Sequence, residues 1–101
     1  MPRQESAARL DAYEAVFTAL AHPARRRILM TLQFEGGAMT AGAIAAVFDH
    51  AWPTTTRHLR VLEQAGLLRQ DRDGRQRLYR IVQKRLELVR DWIAWFFERP
   101  T

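Results

Sequence analysis

Cysteine is absent from this 101-residue chain. Its absence excludes disulfide staples, thiolate metal centres and cysteine nucleophiles. Serine occurs once, at Ser6, with no base to partner it, and no other residues form a catalytic constellation. The only paired glycines, Gly36-Gly37, lack the Lys-Ser/Thr that follows a phosphate-binding loop, so they read as a simple turn. No apolar run approaches the roughly 18 residues that a membrane helix needs. The first sixteen residues, MPRQESAARLDAYEAV, lack the continuous apolar core of a signal peptide, so the expected compartment is the cytoplasm. These absences argue against an enzyme.

Lysine is nearly absent too. Of 16 basic residues only Lys84 is not arginine, against 11 acids, for a net charge of +5. Arginine's planar fork suits phosphates and guanine edges. A codon bias toward arginine would account for the residue type but not for where the charge sits. From Trp52 to Arg80 there are seven arginines and three acids, so that stretch holds +4 of the total. At 48% hydrophobic residues a small core is within reach. A chain this short also gains by burying further surface in a dimer.

Helical spacing of Leu10, Tyr13, Val16, Phe17 and Leu20 predicts an amphipathic helix over 8–21, ended by His22-Pro23. Pro23 opens a second helix that runs to about Phe34, with Ile28, Leu29 and Leu32 inward. Arg25, Arg26 and Arg27 sit in its first turns, at the positive end of the helix dipole, and require compensation by carboxylates or a bound anion. Thr40 caps a short third helix, Ala41–Phe48, whose core side is Ile44, Val47 and Phe48. After a turn at Asp49-His50-Ala51 a fourth helix spans 52–65, ended by Gly66. Leu67–Arg72 and Arg75–Ile81 read as strands joined by Asp73-Gly74. A last helix over Gln83–Glu98 carries a wide apolar face.

The fold expected is mainly α with a small β-hairpin, a winged helix-turn-helix of about five helices plus a two-stranded wing, as a single domain over 1–101. On a helical wheel Thr55, Leu59 and Leu62 of the fourth helix pack inward, while Thr54, Arg57, Arg60 and Gln64 face out, with Thr56 and His58 on the flanks. A groove-binding helix contacts bases mainly through its N-terminal residues. This favours Thr54, Thr56, Arg57 and His58, with Arg60 further along the same face. Arg57 would fork onto a guanine, and the threonines would meet phosphates or a thymine methyl. Val61 also points outward on this wheel and has no evident role. Around the hairpin over 67–81, Arg72, Arg75 and Arg77 suit phosphate contacts or insertion into a narrow minor groove. The alternative is a charged edge that prevents sheet-to-sheet aggregation.

Two passages carry a likeness to a known family: FTALAHPARRRIL at 17–29, and TRHLRVLEQAGLL at 56–68 followed by Asp73-Gly-Arg75 and Leu78-Tyr-Arg80. In both the chain resembles the ArsR/SmtB-type winged-helix regulators, over nearly its whole length. The resemblance implies a dimeric repressor on a two-fold symmetric operator, with double-stranded DNA as partner. It implies that the first and last helices form the dimer interface, joining Leu10, Tyr13 and Phe17 to Val89, Trp92, Phe96 and Phe97. It maps recognition onto Thr56, Arg57 and His58, and the wing onto Arg72 to Arg77. Metal-sensing members place cysteines on the helix that is Ala41–Phe48 here, or histidine and carboxylate clusters on the last helix. This last helix has Glu87, Asp91 and Glu98 but no histidine. The likeness is therefore to the metal-free members, with no metal and no cofactor.

His22, His50 and His58 form no pair at ligand spacing. His22 reads as a cap or packing residue, and His50 as an exposed turn residue. Trp92, Trp95, Phe96 and Phe97 read as a dimer core; the alternative is a pocket for a small-molecule inducer. Trp52 reads as packing at the head of the fourth helix. Two other functions stay open: a protein-interaction module on the same fold, and a metalloregulator with a site of histidines and carboxylates. Repression follows from the resemblance alone, since spacing speaks only for DNA binding.

Overall fold

His22 and Pro23 divide the first apolar stripe into two helices. The computed structural model describes residues 3–48 and 52–98, with side chains from residue 8 onward. The elements are α1 (Arg3–Leu20), α2 (Pro23–Phe34), β1 (Ala38–Thr40), α3 (Ala41–Val47), α4 (Trp52–Gln64), β2 (Leu68–Asp73), β3 (Gln76–Ile81) and α5 (Gln83–Trp95). The turn expected at Asp49-His50-Ala51 lies outside the described residues.

The arginines at the start of α2 find their compensation in the end of α1. Arg25 donates from Nε to the Ala19 carbonyl at 2.6 Å and from Nη2 to the Thr18 carbonyl at 3.1 Å; Arg26 Nη1 donates to the Leu20 carbonyl at 2.7 Å. The last carbonyls of a helix have no partner within it and form the negative end of its dipole. Two cations that oppose the dipole of their own helix thus satisfy the helix before it. Among the described residues no carboxylate pairs with Arg25 or Arg26. His22 caps α2, its Nδ1 accepting from Ala24 N at 3.2 Å.

α2 and α4 end alike. Gly37 N reaches Leu32 O at 2.7 Å, and Leu67 N reaches Leu62 O at 2.9 Å, each across a glycine in the left-handed region, Gly36 at φ +97° and Gly66 at φ +81°. This Schellman geometry turns the chain sharply and drops the apolar residue after Gly66 into the core. Leu67 is accordingly buried with Ile28, Leu32, Ile44, Leu59 and Leu62, where α1, α2, α3 and α4 meet.

Three strands form the sheet, in the order β1-β3-β2, all antiparallel. β1 adds a strand to the expected hairpin; at three residues it is too short for an alternating pattern. It pairs Met39 with Tyr79. The hairpin turn falls at Gly74-Arg75, one residue later than expected, since Asp73 pairs with Gln76. Gly74 has a positive φ and Arg75 does not, which is the arrangement of a type II′ turn. α3 buries Ile44 but leaves Val47 exposed, contrary to the expected core side. Past Trp95, the N–H groups of Phe96, Phe97 and Glu98 bond three residues back in a tightened final turn.

Two substitutions test these joints by urea unfolding. Gly66→Ala forces a side chain into positive φ and sets its Cβ 2.9 Å from Arg85 Nε, which itself donates to Ala65 O. The expected loss is about 1–2 kcal/mol. Arg25→Ala is expected to cost about 1–3 kcal/mol. Arg25→Lys should not restore it, because a single ammonium cannot serve both carbonyls in the fork geometry.

Candidate nucleic-acid interface

Packing sorts the residues of α4 into two faces. Thr55, His58, Leu59 and Leu62 are buried against the monomer. Arg57, Arg60 and Gln64 are exposed on the opposite side, and Thr54 and Thr56 are half-buried at its edges. Pro53 precedes Arg57 on the open face, and Trp52 is exposed at the helix start.

His58 is a correction. Expected to contact DNA, it is only 8% exposed and turned into the protein. Its ring packs on His22, with centroids 4.5 Å apart, and its Nδ1 lies 3.5 Å from Arg25 Nη1. Arginine can only donate, so Nδ1 is the acceptor in that contact. The signal was present on the helical wheel: residue 58 is three after Thr55 and four before Leu62, on the buried stripe. Arg25 needs no outside partner for its charge, because it joins the end of α1 to the inner face of α4. Val61 gains a role as well. It is half-buried against the core and lines a shallow cleft with Ala15, Thr18 and Ala19 of α1.

One face of the wing packs against α4. Residues alternate across a strand. Leu68, Gln70 and Arg72 of β2 share a side with Ile81, Tyr79 and Arg77 of β3, their partners in register. That side faces α4, since Leu68 and Tyr79 are buried in the core and the Gln70 amide donates to both Glu63 carboxylate oxygens at 3.0 and 3.1 Å. Arg72 and Arg77 continue this face toward the tip, beyond the reach of α4. The Tyr79 phenol is pushed up from its ordinary pKa by burial and by Glu63, while Arg77 and Arg60 pull it the other way. Wing and helix charges thus surround one ring.

Acids are distributed so that these arginines stay open. On the outer face of the hairpin Arg69 stands opposite Arg80, and Asp71 lies between them, 3.5 and 2.9 Å away. Arg80 and Arg69 accordingly hold the Asp71 carboxyl below the usual carboxylate range. On the inner face Arg72 stands opposite Arg77 with no acid between them. Like charges directly opposite one another are destabilising. Among the described residues, Arg57, Arg60, Arg72, Arg75 and Arg77 have no ion-pair partner. The result is a set of exposed, unpaired arginines on a helix and a loop. Among the described residues no three His, Asp or Glu side chains converge on a metal site. Among the described residues no helix is long and apolar enough to cross a membrane.

Four of the expected dimer residues, Tyr13, Phe17, Trp92 and Phe96, are linked by ring contacts. Phe17 stacks with Tyr13 (6.2 Å between centroids) and meets Trp92 edge-on at 4.9 Å, and Trp92 meets Phe96 at 4.8 Å. Leu10, Trp92, Phe96 and Phe97 are exposed and Val89 is half-buried.

Comparison with known proteins agrees with this architecture. A helix-turn-helix domain model matches residues 20–71. The chain is 36% identical over 84 residues to the transcriptional repressor SdpR of Bacillus subtilis, spanning 83% of this chain and 91% of that protein. The crystal structure of an ArsR family transcriptional regulator superposes with a TM-score of 0.75 at 31% identity, over 89% of this chain and 95% of that one. The homodimeric winged helix-turn-helix DNA-binding domain of a possible ArsR-family regulator from Mycobacterium bovis gives a TM-score of 0.73 at 27% identity, over 96% and 85%. The chain belongs to the ArsR family of winged helix-turn-helix transcriptional regulators.

Proposed function

We propose that this protein is a cytoplasmic homodimeric repressor that reads a two-fold symmetric operator, with α4 in the major groove and the wing on the flanking backbone. The observation that carries the DNA contact is the Arg72–Arg77 pair, opposite one another with no ion-pair partner among the described residues, together with the exposed Arg57 and Arg60 of α4. A phosphate between the two guanidiniums relieves their repulsion and accepts from both. Arg57, exposed near the start of α4, is placed to fork onto a guanine in the major groove. Thr54 and Thr56 line the edges of that face and orient the helix through phosphate contacts. Arg75, at the tip, reaches the backbone or the adjacent minor groove.

Dimerisation through α1 and α5 is supported by the exposed aromatic patch and by the homodimeric state of the Mycobacterium bovis neighbour. Two protomers related by a two-fold place their α4 helices in successive major grooves on one face of the duplex, at half-sites about 34–36 Å apart. Repression is supported by the relationship to SdpR. A dimer seated across the operator excludes other proteins from the same stretch of duplex.

Binding titrations over a salt series test this reading. Affinity is expected to fall steeply as salt rises, because each neutralised phosphate releases counterions. Arg57→Ala is expected to cost about 1–3 kcal/mol and to relax preference at one base pair of each half-site. Arg75→Ala is expected to weaken all sequences alike and to reduce the salt slope by about 1 for each phosphate that it leaves without a cation. Unchanged affinity in both variants would refute the assignment.

A further inference from the structure

We propose that Trp52 is a specificity-determining residue of α4, its indole lying against the 5-methyl group of a thymine in the major groove of the operator. The inference rests on the DNA-binding reading above. It adds to that reading an apolar base contact, at a base pair other than the one assigned to Arg57.

Trp52 opens α4 and is 52% exposed, although a tryptophan at the head of a helix is expected to pack. Helical phase does not account for this exposure. Trp52 stands one heptad before Leu59, which is buried, and a core extending that far would cover both. The buried stripe of α4 starts only at Thr55, so Trp52 stands about one turn ahead of it. Among the described residues its ring enters no aromatic stack and no cation–π pair, whereas Trp92 and Trp95 each meet an aromatic neighbour.

Its place on the helix supplies the partner. Cα–Cβ bonds tilt toward the N-terminus of a helix, so the first side chain extends past the helix end. That end is the one a groove-binding helix brings to the bases. Pro53 beside it is exposed too and has no amide hydrogen to give, so the head of α4 is apolar. About one and two turns further on, the same helix exposes Arg57 and Arg60. The cations that draw in a polyanion thus stand directly behind the apolar tip.

The chemistry of the groove then selects the contact. Guanidinium and indole N–H groups can only donate hydrogen bonds. Of the groups that base pairs present in the major groove, the thymine 5-methyl is the one apolar group. An indole buries about 150–250 Å² when covered, and half of this one still faces water in the free protein. Covering it with a methyl group gives an A·T pair an advantage over G·C that no hydrogen bond from Arg57 supplies.

Replacing a thymine by deoxyuridine removes the methyl group and leaves base pairing intact, so it isolates the contact. Selection of bound duplexes from a random pool supplies the operator, and each thymine of the half-site is then replaced in turn. For the unaltered chain, one such replacement is expected to weaken binding about fourfold per methyl group lost. Trp52→Ala is expected to weaken binding to the thymine duplex and to abolish the difference at that position, while keeping the preference assigned to Arg57. Trp52→Phe, which keeps a ring but has no N–H, should retain the difference. Two results would overturn the contact and leave DNA reading by Arg57 standing. One is a half-site in which no thymine is sensitive to loss of its methyl group. The other is equal weakening of thymine and deoxyuridine duplexes by Trp52→Ala, which makes the indole a phosphate donor or a packing residue. A difference that persists undiminished in Trp52→Ala assigns the methyl group to Thr54 or Thr56 and overturns the proposal likewise. Failure of the unaltered chain to prefer any duplex would overturn both readings.

Discussion

The fork of Arg25 on the carboxyl end of α1 is the contact on which the DNA-binding geometry depends. Its two hydrogen bonds to the Ala19 and Thr18 carbonyls fix the angle between the first two helices. The same guanidinium reaches His58 on the buried side of α4. One side chain thus meets the helix that carries part of the aromatic patch, the helix that starts the core, and the helix that presents Arg57. Arg26 repeats the device on Leu20 and strengthens the same joint. Hydrogen bonds from a charged donor are among the stronger individual contacts available to a small domain.

A second constraint is where the acids go. Glu63 is engaged by Gln70, and Asp71 by Arg80 and Arg69. Glu63 ties the hairpin to α4 and Asp71 ties its two strands together, while Asp73 stands exposed at the tip with no ion pair among the described residues. Consequently five arginines per protomer confront solvent without an ion-pair partner among the described residues. The monomer tolerates that repulsion because the side chains are exposed and screened. A polyanion removes it. Apolar side chains stay exposed as well, among them Trp92, Trp95, Phe96 and Phe97 of the C-terminal segment.

Most of the architecture was legible in the sequence because its punctuation is strong. His22-Pro23, Gly36, Thr40 and Gly66 mark helix ends by mechanisms that act locally, and the structure uses each of them. The hairpin was legible for the same reason, although its turn lies one residue later, since Gly74 rather than Asp73 takes the first central position. β1 was not legible, because three residues carry no periodicity and its pairing with β3 is set by the tertiary fold. The exposure of Arg57, Arg60 and the wing arginines was legible from charge and, on α4, helical phase. His58 was placed on the flank of α4 near its N-terminus and so assigned to contact, but its spacing from Thr55 and Leu62 puts it on the buried stripe. The partner of Arg25 was illegible in principle, since a helix-end carbonyl leaves no mark in composition.

The central claim is that the open face of α4 and the inner face of the wing together form one surface for duplex DNA, presented twice in a dimer. Selection of bound duplexes from a random pool, with the purified protein at physiological salt, measures this most directly. The account predicts enrichment of an inverted repeat whose half-sites lie about one helical turn apart. Recovery of a pool no different from the starting mixture, or of a single unrepeated half-site, would contradict it.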